Sequence, residues 1–260
     1  MNTSFKSWLW AAALVISVTS CATYKNTPVT PVNVDPLLTE MPAQSLEAHA
    51  AFGDTIFAQG PGAVVSICDK IIPLGTGDDT QARFALSGLA KHASRPGARN
   101  DQKIFTNTVI AALHNAQDNE VKSFFIRQLQ FAGHNQSVAP LSGYLTNDEL
   151  CGAAVQALQA IGTRKATYSL HAGALSAKSN TQRVSLLKAL AVIEHHPAQP
   201  LFEKYANDTD RNVRFAALLG LAKLGVANSE ATLKAATHSG SEYDKIEAKS
   251  LYDLYLRTNS

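Results

Sequence analysis

The sequence predicts an all-α fold, a solenoid of stacked antiparallel helix pairs, and three observations predict it. The segment DRNVRFAALLGLAKLG, Asp210 to Gly225, has gapless copies in DNEVKSFFIRQLQFAG from Asp118, NDELCGAAVQALQAIG from Asn147 and SNTQRVSLLKALAVIE from Ser179. Leu129, Leu158, Leu190 and Leu221 hold one column at intervals of 29, 32 and 31 residues. A shorter apolar segment follows each copy, with Leu141, Leu170, Phe202 or Leu233 at its centre, so the unit is helix, turn, helix with a period near 31.

Before the repeats stand a leader and a leash. Residues 1–20 carry one basic residue, Lys6, then the apolar stretch Trp8 to Val18, then small residues, which is the layout of a secretory signal. The apolar stretch is too short for a hydrocarbon core of ~30 Å, which needs about 20 apolar residues. Val18-Thr19-Ser20-Cys21 resembles the lipobox of bacterial lipoproteins, in which the cysteine becomes the lipidated first residue; Val18 stands where Leu is commonest. An ordinary cleaved signal with an incidental cysteine is the alternative. The resemblance implies a membrane anchor through lipid on Cys21, and Ala22, where Asp would retain the protein at the inner membrane, implies the outer membrane, facing the periplasm. Residues 21–43, with prolines at 28, 31, 36 and 42, read as an extended tether at ~3 Å per residue.

Residues 44–77 read as a degenerate opening helix pair, in QSLEAHAAFGDTIFAQG and GAVVSICDKII. Residues 78–240 hold the repeats. Asp118, Asn147, Ser179 and Asp210 accept hydrogen bonds from free amides of a first helical turn, so each copy opens on a cap. Seven and eleven residues on, Phe125 and Leu129, Ala154 and Leu158, Leu186 and Leu190, and Ala217 and Leu221 share one helix face. Gly133, Gly162 and Gly225 are placed for left-handed helix ends, while Glu194 breaks that column and Pro197 is read as the stop. A weaker copy from Asp78 shares the cap, Ala85 and Leu89, and its extra length is assigned to the turn-rich SRPGARN, Ser94 to Asn100. Residues 241–260 read as a closing helix, with Ser241 and Asp244 in capping-box spacing.

The pattern D-x-x-(V/L)-(R/K)-x-x-A-x-x-x-L-x-x-(I/L)-G resembles the HEAT repeat family, especially the short bacterial HEAT-like class also found in phycobilin lyases. The likeness runs over roughly Asp78 to Gly240. It implies a right-handed α-α superhelix whose second helices line the concave side. On that basis Ser142, Tyr144, His171, Lys204, Tyr205, Lys234 and His238 are the candidate protein-binding residues, Tyr being suited to interfaces.

Several chemistries are weighed against architecture. Lys122, Arg183 and Arg214 fall four residues after the cap, with Cys151 in the same column. Helices pack 8–10 Å apart, so this column cannot converge on one small ligand. It reads as a ladder binding each cation to acids and carbonyls of the next unit. His134 and His195 occupy equivalent turns two repeats apart, too far for one coordination shell, and His195 with His196 supplies two of the three or four ligands a site needs, so no metal is expected. No Gly-x-Ser-x-Gly, His-Glu-x-x-His or phosphate-cradling loop occurs, and the carboxylates of GTGDD, Gly75 to Asp79, read as solvated turn residues. No catalytic residue and no cofactor is expected.

Without its first 20 residues the chain carries 22 basic and 21 acidic residues, a balance that gives no field for nucleic acid. Cys68 and Cys151 sit in apolar helical contexts and read as small hydrophobes. The expectation is a membrane-anchored scaffold or protein-binding module, not an enzyme, whose partners are one or more envelope proteins. An accessory subunit of an envelope enzyme and a structural envelope lipoprotein are the alternatives.

Overall fold

The computed structural model describes residues 29–259, and among these there is no strand. Residues 1–28 lie outside it, including Cys21 and the signal segment. A four-residue helix α1 (Asp35–Leu38) precedes six hairpins: α2 (Leu46–Ala58) with α3 (Pro61–Cys68), α4 (Thr80–Ala93) with α5 (Arg99–Asn115), α6 (Asn119–Ala132) with α7 (Asn135–Ser142), α8 (Cys151–Ile161) with α9 (Arg164–Ser176), α10 (Asn180–Val192) with α11 (Gln199–Tyr205), and α12 (Arg211–Leu224) with α13 (Glu230–Ala236). Helix α14 (Glu242–Thr258) stacks on α12 as an unpaired first helix. First helices stack on first helices along the whole array, and second on second from α3 to α9, which makes the chain an α-solenoid.

Caps start the first helices. The Asp118 carboxylate accepts from the amides of Glu120 (2.8 Å) and Val121 (3.1 Å), Ser179 Oγ from Gln182 (3.2 Å), and Asp210 from Val213 (3.0 Å). Asn147 accepts from Glu149 (2.9 Å) and Leu150 (3.0 Å), capping a turn that becomes regular helix at Cys151. The cap of α4 differs from the sequence expectation. The residue at the boundary is Asp79, and its carboxylate turns away to accept from the Ile72 amide and the Arg83 guanidinium, both within 2.9 Å. Asp79 is therefore part of a joint between units and not a solvated turn residue. Asp78 accepts from the Thr80 amide at 3.0 Å.

The core columns are closed. Phe125, Leu129, Ala154, Leu158, Leu186, Leu190, Ala217 and Leu221 are buried, and so are Leu141, Leu170, Phe202 and Leu233 on the second helices. Each buried Leu loses roughly 1.5–3 kcal/mol of water-exposed apolar surface, so the repeat column is the main cohesive term.

The helix ends correct two readings. Gly162 (φ 60°) and Gly225 (φ 62°) take the left-handed form, but Gly133 is extended (φ −65°, ψ 156°). Gly133 is needed for space instead, since a β-carbon there would collide with the Leu129 carbonyl. Glu194 does not escape the column: it takes φ +51° as the glycines do, and the His195 amide reaches the Leu190 carbonyl at 3.0 Å. Pro197 opens the next 3₁₀ turn, His196–Ala198, rather than stopping α10. The extra length of the second hairpin is likewise not confined to SRPGARN, because α5 itself runs for 17 residues against 8 in α7.

The described part of the leash is also not free. From Val29 the chain lies along α3: Thr30 crosses Gly62 with its carbonyl, where any β-carbon would clash, the Val32 amide donates to Ser66 Oγ at 2.9 Å, and Asp35 pairs with Lys70 at 2.5 Å. Val34, Leu38 and Met41 are buried in the core. The segment runs without regular structure to Val34, turns through α1 with Pro36 in its first turn, and covers the core with three apolar side chains.

The stack has two long edges. At the turn edge each hairpin reverses: Gln102 and Thr106 at the start of α5 both donate to the Ala132 carbonyl at the end of α6 (3.2 and 3.0 Å), and Gln136 donates to Asn107 at 2.9 Å. At the loop edge one hairpin hands over to the next.

Candidate functional site

The loop edge carries the polar joints between units, and of the column expected to make them only Arg214 reaches the next unit, 4.0 Å from Asp244. Lys122 Nζ reaches the Gln117 carbonyl (3.2 Å), Arg183 the Lys178 carbonyl (3.4 Å) and Arg214 the Asp208 carbonyl (2.6 Å), all in the lead-in turn of the same helix. Most joints run through the residue just after the cap. Asn119 donates to Glu149 (2.5 Å), Asp148 accepts from Ser179 (2.6 Å), Asn180 donates to Asp210 (3.0 Å), and Arg211 donates to Asp244 and Glu247 (both 2.5 Å). Arg83, four residues after the Asp79 boundary, makes the joint of its unit, holding Glu120 through two nitrogens at 2.7 and 2.9 Å. Residue type varies along this column, which hid it from a search for a repeated residue.

The seven candidate protein-binding residues lie on or just after second helices across four units, and the structure does not gather them. Ser142 Oγ donates back to the Val138 carbonyl (2.6 Å). Tyr144 is half-buried against the core, and burial pushes its phenol above the ordinary value. Tyr205 is half-buried between two cations, with Lys204 Nζ 5.0 Å and the Arg183 guanidinium 5.9 Å from the ring centre. Lys204, Lys234 and His238 are exposed.

His171 has a partner that sequence reasoning missed. Its Nδ1 lies 3.0 Å from His195 Nε2 with the rings edge-on, and Tyr168 sets its edge against His195 at 5.6 Å. Burial, then the charges of His171 and His196, holds His195 below the usual imidazole value, so at neutral pH one ring donates to the other. The expected comparison was of equivalent turns, whereas the contact joins the middle of α9 to the turn of the next hairpin. His92, which is buried, stacks on Phe57 (5.8 Å between centres) with Nε2 3.1 Å from Asp54. Burial, then Arg95, lowers its pKa against the opposing pull of Asp54. Among the described residues no three His, Cys, Asp or Glu side chains come together in a way that could hold a metal. Cys68 and Cys151 are buried free thiols; burial pushes Cys151 up to about 11 and Cys68 further, so both stay protonated.

One recess stands out as preformed. Between α12, α13 and the start of α14 lies a cleft of about 620 Å³. Phe215 and Leu218 form its floor, Ala231, Ala235 and Ala236 of α13 its wall, and Arg214 and Asp244 its polar end. Lys234 and His238 lie outside the lining, because the face of α13 that looks into the cleft is the alanine face. Asp244 is fixed from three sides: it closes the capping box with the Ser241 amide (3.1 Å), accepts from Arg211, and stands 4.0 Å from Arg214. The Arg211 hydrogen bond, then the Ser241 amide, holds its carboxyl below the usual range. Gly240 (φ +82°) passes so close that a β-carbon would lie 2.5 Å from the carboxylate. An apolar floor with one ion pair at its end suits an apolar side chain flanked by a polar group.

No family model matches the chain and no curated protein matches it. Among solved structures it is similar to the archaeal HEAT-like repeats protein from Thermococcus onnurineus NA1, at 14% identity and TM-score 0.46 over 89% of this chain and 100% of that one. It is also similar to the complex of CpcE and CpcF of phycocyanin lyase from Nostoc sp. PCC7120, at 16% identity and TM-score 0.37 over 90% of this chain and 98% of that one. No described helix is long and apolar enough to cross a membrane.

Proposed function

We propose that this chain is a HEAT-like scaffold, held to the bacterial outer membrane by lipid on Cys21 and facing the periplasm, that binds an envelope protein and carries out no catalysis of its own. The observation that carries the reading is the cleft. A rigid recess with a buried aromatic floor, alanine walls and a single ion pair is built to accept a protruding side chain, and stacked helix pairs hold it open without needing the ligand. The lipobox and the leader support the location.

The test is photo-crosslinking from the full chain in its own host. A photoreactive side chain at Thr232 or Ser239, which line the cleft, should capture one dominant envelope protein, and the same group at exposed Phe84 should not. Ala235→Arg, which fills the recess from an exposed position, should abolish the adduct. Equal capture from all three positions, or capture untouched by Ala235→Arg, rejects the cleft as the binding site.

A further inference from the structure

Charge is sorted between the two edges of the solenoid. In the turn-edge halves of the second to fourth hairpins, residues 87–107, 126–138 and 155–170, there are seven Lys or Arg and one acid. In the loop-edge segments that flank them, residues 65–86, 108–125 and 139–154, there are three Lys or Arg and seven acids. These three hairpins are thus polarised across their width.

Of the turn-edge cations, only Arg95 is held by carboxylates among the described residues. Arg95 pairs with Asp54 and Asp101. Lys91, Arg99, Lys103, Arg127 and Lys165 are exposed with no ion pair among the described residues, whereas loop-edge cations such as Arg83 and Arg211 are locked into joints. Arg99, Lys103 and His134 surround a cavity of about 400 Å³ between α5 and α7 that no carboxylate lines. Aromatic side chains stand among them: Phe131, one helical turn beyond Arg127, is 53% exposed, and Tyr168, beneath the Arg164 guanidinium, is 49% exposed. Cations mixed with exposed aromatics match the headgroup layer of a bilayer, where rings sit at the boundary and cations meet phosphates.

The chain itself leads to this edge. Thr30 lies on Gly62, in the first turn of α3, and second helices start at the turn edge. Val29 stands only eight positions after Cys21, a reach of at most roughly 28 Å at ~3.5 Å per residue.

We propose that the turn edge of the second to fourth hairpins lies against anionic phospholipid headgroups beside the anchor, so that the solenoid rests on the membrane and turns its loop edge away. This rests on the lipid-anchor reading, and its test is arranged so that the two can fail separately. The mature chain beginning at Cys21 is coupled through that thiol to a maleimide lipid in vesicles, the two remaining thiols being buried. Lysines are then labelled with a water-soluble acetylating reagent. On vesicles containing phosphatidylglycerol, Lys91, Lys103 and Lys165 should react at least fivefold more slowly than in solution, and Lys204 and Lys234 should not change. Neutral phosphatidylcholine vesicles, 0.5 M salt, or the pair Arg99→Glu and Lys103→Glu should remove the protection of Lys165, since the attraction is screened within a Debye length of ~10 Å at 0.1 M salt. Equal rates in solution and on anionic vesicles overturn the proposal. Membrane fractionation of Cys21→Ala in cells judges the anchor alone: release supports the lipid, and unchanged fractionation overturns the anchor while the tethered vesicles still report on the edge.

Discussion

The His92 ring lies directly over Gly53, so close that a β-carbon on that glycine would stand 2.5 Å from the imidazole. The arrangement is reciprocal: His49 lies over Gly88, with a β-carbon there 2.6 Å from Nε2. Two parallel helices thus exchange a ring for a glycine twice, four residues apart. The pairs should not tolerate substitution equally. His92 is buried and pinned by Asp54 and Phe57, so Gly53→Ala must displace it, costing about 1–3 kcal/mol. His49 is half-buried and meets Gly88 with the far end of its ring, so it can swing away. Gly88→Ala should be neutral, or stabilising by about 0.5–1 kcal/mol through helix propensity. Chemical denaturation of both variants decides, and equal costs would contradict the packing.

Glu194 pays a backbone cost that its column shows how to relieve. At φ +51° it occupies the conformation given to Gly162 and Gly225 in the other units, a state that costs a residue with a side chain about 1 kcal/mol or more. Its one ion pair among the described residues, to Lys223 at 3.5 Å, is exposed on the Glu194 side and worth at most ~1 kcal/mol. Glu194→Gly should therefore leave the fold unchanged and stabilise it by about 0.5 kcal/mol, whereas Glu194→Val should destabilise it. A midpoint lowered by the glycine would show that the ion pair outweighs the strain.

These two features mark how far the sequence could be read. The cap, Leu and second-helix columns were legible because each holds one chemical class of residue at near-constant spacing, answering one physical need. The helix ends were half legible: Gly162 and Gly225 follow the rule, Gly133 serves space instead of φ, and Glu194 accepts a strained φ that its chemistry disfavours. The joints after the cap, the His171–His195 contact and the cleft were not legible. Each depends on which face of one helix meets which turn of another, and the paired residues of the joints and of the histidine contact lie 24 to 37 positions apart with no constant residue type.

Acid should act first through the histidines. His92 and His195 have folded values below the usual ~6.5, with burial the leading cause in both. A lowered folded value means the unfolded chain binds more protons below pH ~6.5, so stability is complete above that pH and falls as pH drops toward the folded values. A second loss follows below pH ~4, where Asp244, Asp210 and Asp78, held low chiefly by hydrogen bonds, must be protonated. Proton NMR should place the His92 and His195 midpoints below 6.5 in the folded protein. Midpoints at or above that value, or a melting temperature flat between pH 7 and 5, would remove the first arm.

The strap along α3 gives the last prediction, and it concerns where the folded domain begins. Read as a leash, residues up to 43 could be removed without cost. With Val34, Leu38 and Met41 in the core and Val32 bonded to Ser66, a chain starting at Gln44 exposes the apolar side of α3 and loses three buried side chains, each worth roughly 1.5–3 kcal/mol. Such a chain should unfold at markedly lower denaturant than one starting at Val29, and its first two hairpins should lose amide protection before the rest, because units of a solenoid are held mainly by their neighbours. Leu38→Ala in the full chain should cost about 2–4 kcal/mol, while Leu37→Ala, on a half-buried neighbour, should cost less. Identical denaturation curves for the two starting points would return the strap to a passive leash and lengthen the reach between membrane and solenoid.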